Sequence, residues 1–167
     1  GYFAQNETVA KDTAIDWMLR APENPSSVLC SIMAARQNAR MVRTALTTEA
    51  WEAINGCHMH VRDALKRKVS ERDLPAIVKL VRQRTALVRG ATDGTMMRND
   101  IYDFARLGTF IERADNTARI LDVKYYVLFP SGMSGGSNID NVQWETILRS
   151  VSARGGFHMA YGSSGTP

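Results

Sequence analysis

The stretch that decides the fold is LGTFIERADNTARILD, residues 107–122. Its apolar side chains recur at intervals of three and four, so they share one arc on a helix that turns about 100° per residue. Helix-compatible sequence extends from Met97 to Phe129, and Pro130 prevents continuation. The pattern predicts one long helix over residues 97–129. The arc consists of Leu107, Phe110, Ile111, Ala114, Ala118, Leu121 and Tyr125.

Helical periodicity also runs through the sequence that precedes this helix. After Ser26 and Ser27, either of which can cap a helix, apolar residues recur at spacings of three and four. Strict alternation of apolar and polar residues, typical of strands, is absent. The sequence therefore predicts an all-α fold, a helical bundle of about six helices. The stripe on the second helix consists of Val28, Ile32, Ala35, Ala39, Val42 and Leu46.

Proline and capping residues set the boundaries of the first three predicted helices. A first helix begins near Asn6 and ends before Pro22 and Pro25. Residues 47–49 separate the second helix from a third helix over residues 49–68.

Glycine-rich segments set the later boundaries. A fourth helix opens at residues 70–75 and stops at a predicted turn over Gly90–Gly94. A sixth helix begins near Asp140, after a Gly/Ser connector. The Gly-rich residues from Gly155 to Pro167 are predicted to be poorly ordered. We place a single helical domain at residues 1–162 and a loose tail at residues 163–167.

Composition narrows the class of protein. The 167 residues suffice for one domain with a core, and the net charge of +4 is mildly basic. Basic residues are interleaved with acidic ones, which favours an ordinary surface over a nucleic-acid interface. The sequence lacks a membrane-length apolar run and a signal peptide, and Cys30 and Cys57 lack metal-ligand spacing. We therefore expect a cytoplasmic protein with reduced thiols and without a cofactor.

A polar pattern on the long helix is the main candidate site. Its motif face, as we call it, carries charges at the edge of the apolar arc, where the helix is expected to meet its neighbours. Buried charges need partners. Arginines in a row on the second helix can supply them, so we predict that the two rows face each other. The motif face consists of Glu112, Arg113, Asp115, Asn116, Arg119 and Asp122, of which Arg113 points away from the apolar arc. The arginine row consists of Arg36, Arg40 and Arg43.

Two interpretations of this pattern remain open. In the first, Glu112 or Asp115 acts as a base or binds a cation, while the arginines hold a phosphate or carboxylate. In the second, which we favour, the charges form a buried ion-pair network that fixes helix register.

Other candidates for chemistry are weaker. His58 and His60 are two residues apart, so they do not share a helix face, and no metal site is predicted. The Glu-x-x-His pairs of a di-iron bundle are absent. A basic cluster is expected to be a solvated helix end, with a docking patch as the alternative. That cluster is Arg62, Lys66, Arg67 and Lys68.

The segment from Leu107 to Asp122, centred on Glu112-Arg113, resembles the alpha-E family, a helical domain with a characteristic Glu-Arg motif. The similarity covers roughly residues 19–128, and the order and spacing of its short motifs make the combination specific. Its other parts are residues 24–28 (Asn-Pro-Ser-Ser-Val), residues 35–40 (Ala-Arg-Gln-Asn-Ala-Arg), Trp51 with Asn55, and Thr95-Met96 with Arg98.

Two departures from the family pattern accompany the resemblance. Members carry an earlier Glu-Arg motif near the chain start, whereas we identify none before Glu112 in this chain, and Gln37 stands where members usually have Glu. Members also continue further, so the resemblance implies that this chain is a central part of a longer alpha-E domain.

The resemblance also implies a functional setting. Family members are typically bacterial or archaeal and are associated with ATP-grasp and transglutaminase-like proteins, which suggests a helper in a peptide-modifying system. We therefore expect a helical accessory or interaction module with such a protein as partner. The alternatives are an enzyme or enzyme subunit that uses Glu112 as general base, with arginines binding an anionic substrate, and a basic helical nucleic-acid-binding domain. The sequence leaves the oligomeric state open.

Overall fold

In the computed structural model, the described residues are 10–123 and 138–162. Within these two ranges the secondary structure is helical and contains no strand, which confirms the predicted all-α fold. The predicted helical residues 6–9 and 124–129, connector residues 131–137 and tail residues 163–167 lie outside the described ranges. The helices are α1 Lys11–Leu19, α2 Val28–Met41, α3 Thr48–Ala64, α4 Leu74–Thr95, α5 Asp100–Val123, α6 Asn138–Ser150 and α7 Arg154–Tyr161.

The chain divides into two compact units, Gly1–Tyr102 and Asp103–Pro167. In the first unit α3 packs against both α2 and α4. Apolar side chains of α2 and α4 cover the buried side chains of α3, and each such burial contributes about 1.5–3 kcal/mol. The centre of this core consists of Leu19, Cys57, Val61, Leu65 and Val69.

Side-chain caps fix where α2 and α3 begin. The buried Ser27 hydroxyl accepts a hydrogen bond from the Cys30 amide at 3.3 Å, and Thr47 accepts one from the Ala50 amide at 3.2 Å. Asn24 holds the preceding connection, because its side-chain amide donates to the Trp17 carbonyl at 3.0 Å. The prediction that Ser26 or Ser27 caps the second helix is therefore confirmed, with Ser27 as the cap.

The predicted turn at Gly90–Gly94 is wrong, because α4 continues through both glycines to Thr95. A glycine inside a helix costs only about 0.5–1 kcal/mol relative to alanine, which tertiary contacts can offset. Two such contacts lie at this end of α4. The Thr95 hydroxyl lies 2.6 Å from the Thr47 hydroxyl, and the Tyr102 hydroxyl donates to the Asp93 carboxylate at 3.0 Å.

The second helix is shorter than its apolar stripe indicated. It ends at Met41, because Val42 leaves the helical conformation and a short 3-10 helix follows at Arg43–Ala45. The Arg43 guanidinium stabilises this turn by donating to the Leu46 carbonyl at 3.1 Å. The stripe therefore includes residues that are periodic in sequence but lie beyond the helix.

In the second unit, the prediction that residues from Gly155 onward are poorly ordered is wrong for Gly155–Tyr161, because they belong to α7. Glu145 on α6 holds this helix: its carboxylate accepts from Arg154 at 2.7 Å and lies 3.2 Å from the His158 ring. Partial burial acts to raise the pKa of Glu145, but the hydrogen bonds and charges of Arg154 and His158 lower it below its ordinary value. These contacts override the low helix propensity of the glycines.

Among the described residues, no helix combines the length and apolar character that a membrane crossing requires.

Candidate functional site

The motif face lies on α5, and its members pair along their own helix. The Asp115 carboxylate accepts from Arg119 Nε at 2.6 Å, and the Glu112 carboxylate accepts from the Asn116 amide at 3.3 Å. Both pairs have the spacing of four residues that places helix side chains side by side. The motif face therefore supplies its own partners within α5.

Arg119 lies at the centre of this charge cluster. The hydrogen bond and charge of Asp115, together with the charges of Glu112 and Asp122, raise the pKa of Arg119 above its ordinary value. All four side chains belong to exposed residues. The remaining arginine of the motif face, Arg113, is exposed as well.

Whether these charges form a buried ion-pair network against α2 stays a prediction. The Asp115–Arg119 pair is exposed, and so are the large apolar side chains next to it, among them Phe104, Phe110 and Ile111. An i,i+4 pair of this kind satisfies its charges within one helix. The last residue of the predicted arc, Tyr125, lies outside the described residues.

The arginine row lies on α2 and on the 3-10 helix that follows it, and it has contacts of its own within the first unit. Arg36 Nε donates to the Asn55 side-chain oxygen at 2.8 Å, and the Arg43 guanidinium lies 5.6 Å from the centre of the Trp51 ring. Arg40 is exposed. That this row faces the carboxylates of the motif face stays a prediction.

The two histidines of α3 lie in different surroundings. His58 is buried, whereas His60 is exposed and its Nδ1 lies 2.6 Å from the Gly56 carbonyl oxygen. Burial, followed by the charges of Arg36 and Arg62, lowers the pKa of His58 below its ordinary value. The prediction that they do not share a face is confirmed. Among the described residues, no group of three or more His, Cys, Asp and Glu side chains has the arrangement of a metal site.

The basic cluster at the end of α3 is exposed, as predicted for a solvated helix end. Lys66 pairs with Asp63 at 2.9 Å, and this hydrogen bond lowers the pKa of the Asp63 carboxyl. The docking alternative for this cluster stays open.

Sequence reasoning missed a second Glu-Arg dipeptide, Glu71-Arg72, which a plain search of the sequence would have found. It lies in the connection between α3 and α4, and Glu71 pairs with Lys11. Both of its side chains are exposed, and neither lies within a helix. Of the two dipeptides, Glu112-Arg113 is the one that lies within a helix.

Two further site elements were not predicted. Asn55 belongs to the sequence pattern only through the family resemblance, and its contact with Arg36 requires knowledge of how α2 and α3 pack. A concave surface along α4 is lined by Lys79, Arg82, Gln83 and Arg89, among others, and includes none of the motif-face residues.

Comparison with known proteins gives one match. A family model named Alpha-E, described as a predicted alpha-helical domain with a conserved ER motif, matches residues 2–167. No curated protein and no solved structure matches the chain. Since the match spans nearly every residue, and since the described helices include one that carries a Glu-Arg dipeptide, the chain belongs to the Alpha-E family.

Proposed function

We propose that this chain is a helical accessory module that docks onto a partner protein through α5. The observation that carries the proposal is the combination of exposed apolar side chains and an exposed charged motif on one helix. Leu107, Phe110 and Ile111 lie beside Glu112 and Arg113, and all five residues are exposed. Contiguous apolar surface rimmed by charge is typical of protein–protein interfaces.

The partner we propose is an ATP-grasp ligase, with a transglutaminase-like protein as the second choice. This choice rests on the resemblance, which implies an association with both classes of protein. The module would then serve a peptide-modifying system in a bacterial cytoplasm.

The enzyme alternative has less support. A general base in an enclosed site is usually held by surroundings that tune its protonation. Glu112 is instead exposed on α5, where it accepts a hydrogen bond from Asn116 and its charge acts on Arg119 of the same helix.

The test compares two leucines of equal exposure on different helices. Leu107 on α5 is 52% exposed and Leu87 on α4 is 53% exposed, so the two substitutions by serine remove similar apolar surface from the free protein. We would measure binding to a purified ATP-grasp ligase from the same organism by calorimetry, with and without ATP.

We expect Leu107→Ser to weaken binding about tenfold or more, because burying a leucine at an interface contributes about 1.5–3 kcal/mol. Leu87→Ser should change the affinity less than about twofold. Equal effects of both variants, or no binding by the wild type to either class of partner, would refute the proposal. Glu112→Gln then separates the accessory proposal from the enzyme alternative. An enzyme that uses Glu112 as general base would lose turnover in this variant while its binding to the partner persisted.

A further inference from the structure

The Arg36 guanidinium connects α2 to α3 through only one of its N–H groups. Arg36 is half-buried, and its Nε donates to the Asn55 side-chain oxygen at 2.8 Å. Among residues 10–123 and 138–162, the other N–H groups of Arg36 have no hydrogen-bond or ion-pair partner. Asn55 therefore orients the guanidinium and leaves its end-on pair of nitrogens available.

A buried histidine lies beside this guanidinium. His58 follows Asn55 by one helical turn on α3 and is 7% exposed, and its Nδ1 is buried without a hydrogen-bond partner in the described part of the chain. A buried polar atom without a partner costs about 1–3 kcal/mol and is uncommon in folded proteins. Such an atom calls for an explanation, and a bound group is one.

The charge near His58 has one sign. The charges that act on His58 within the described residues come from Arg36 on α2 and Arg62 on α3, and both oppose protonation of the ring. No carboxylate of the described residues forms an ion pair with either arginine. Two arginine charges therefore act at His58, which favours an anion there.

We infer that Arg36, Asn55 and His58 form a binding site for an oxyanion, a carboxylate or a phosphate group. The planar fork of a guanidinium matches either group through two parallel hydrogen bonds. An anion bound there would raise the pKa of His58, because it offsets the two arginine charges. We call this arrangement the oxyanion site; it lies on α2 and α3 and does not depend on docking through α5.

Of the arginines in the row that the sequence suggested, only Arg36 belongs to the oxyanion site. Arg43 is already engaged with the Leu46 carbonyl and the Trp51 ring. Arg40 is exposed and has no side-chain partner holding it in the described part of the chain. Only Arg36 combines partial burial, a fixed orientation and a buried polar neighbour.

The test uses inorganic phosphate and acetate as probes, each titrated against sodium chloride of matched ionic strength. Nuclear magnetic resonance would follow the Arg36 Nε–H and the His58 ring signals of the wild-type protein. We expect saturable shifts of both signals and a rise in the pKa of His58. Tighter binding of phosphate would identify a phosphate ligand, and tighter binding of acetate a carboxylate ligand.

The variants separate a site from general attraction to a basic surface. Arg36→Gln should weaken binding of the preferred probe about tenfold or more, and Arg36→Lys, which keeps the charge but loses the fork, should give an intermediate loss. The matched control is Arg89→Gln on α4, an exposed arginine outside the oxyanion site. This substitution should leave the affinity for the preferred probe within about twofold of the wild-type value. Equal loss in Arg36→Gln and Arg89→Gln, or His58 signals that respond no differently to the probes than to chloride, would overturn the inference. The wild-type titration tests the inference even if a variant fails to fold.

Discussion

Removing one hydroxyl from Tyr102 tests how the first turn of the motif helix is anchored. Tyr102 is buried, and its hydroxyl donates to the half-buried Asp93 carboxylate at 3.0 Å. Tyr102→Phe removes this hydrogen bond and keeps the ring, which the Arg98 guanidinium approaches to 4.0 Å from its centre. The substitution therefore probes the contact of this hydroxyl between α4 and the start of α5 within the first unit.

The magnitude follows from the charge and burial of the acceptor. A hydrogen bond to a charged group contributes about 1.5–3 kcal/mol. Water can reach the half-buried Asp93 carboxylate and rehydrate it. We therefore expect Tyr102→Phe to lower the free energy of unfolding by about 1–2 kcal/mol, near the lower end of that range. For a unit of this size, each kcal/mol corresponds to a fall of about 4–8 °C in Tm.

Urea unfolding followed by tryptophan fluorescence measures this loss. A Trp144→Phe background leaves Trp17 and Trp51 as reporters, and both belong to the first unit. A double-mutant cycle with Asp93→Ala then gives the coupling energy between the two side chains. Strict additivity of the two substitutions would refute the reasoning, because it would mean that the bond contributes nothing to stability.

Three further predictions concern the core, the glycines of α4 and the contacts of α7. Leu65→Ala should destabilise the first unit by about 2–5 kcal/mol, because Leu65 is 2% exposed. The exposed control Leu87→Ala should lower the free energy of unfolding by less than about 0.5 kcal/mol. Equal urea midpoints of the two variants would contradict the assigned core. Gly94→Ala should stabilise the protein by about 0.5–1 kcal/mol, because the added methyl group meets open space inside a helix, and a lower Tm would argue for a turn instead. Glu145→Gln should be less stable than the wild type at neutral pH, and the difference should shrink as pH falls below the ordinary carboxyl value of 4.5, because a lowered pKa stabilises the fold only while the carboxyl stays ionised. Circular dichroism melts of both proteins from pH 7 to pH 3 measure this difference, and a gap that widens in acid would refute the assignment.

Local sequence signals were sufficient where the local physics is strong. The three- and four-residue spacing of apolar residues predicted α2 and α3, and capping hydroxyls marked their starts at Ser27 and Thr47. Helix ends were predicted less well. Gly94 lies inside α4 and Gly155 lies inside α7, because contacts made by other residues outweigh the propensity of a glycine.

The candidate site could likewise be predicted only in part. The members of the motif face could be chosen from the sequence because they lie on one continuous helix. Their exposure could not, since periodicity shows that a face is apolar but not whether anything covers it. The Arg36–Asn55 contact depends on the packing of two helices, which pattern alone does not give.

The residues on which the family resemblance rests differ in what they do for the fold. Several stabilise the first unit: Asn24 and Ser27 hold the entry to α2, Trp51 lies beneath Arg43, and Asn55 orients Arg36.

Within residues 10–123 and 138–162, Glu112 and Arg113 make no comparable contact. Glu112 accepts a hydrogen bond from Asn116 on its own helix, and both residues of the dipeptide are exposed. An exposed intrahelical contact contributes only a few tenths of a kcal/mol, too little to explain a motif by stability. The proposed docking through α5 would give this motif a task that the contacts of the described residues do not, which is why the Leu107 and Leu87 comparison decides more about function than any stability measurement.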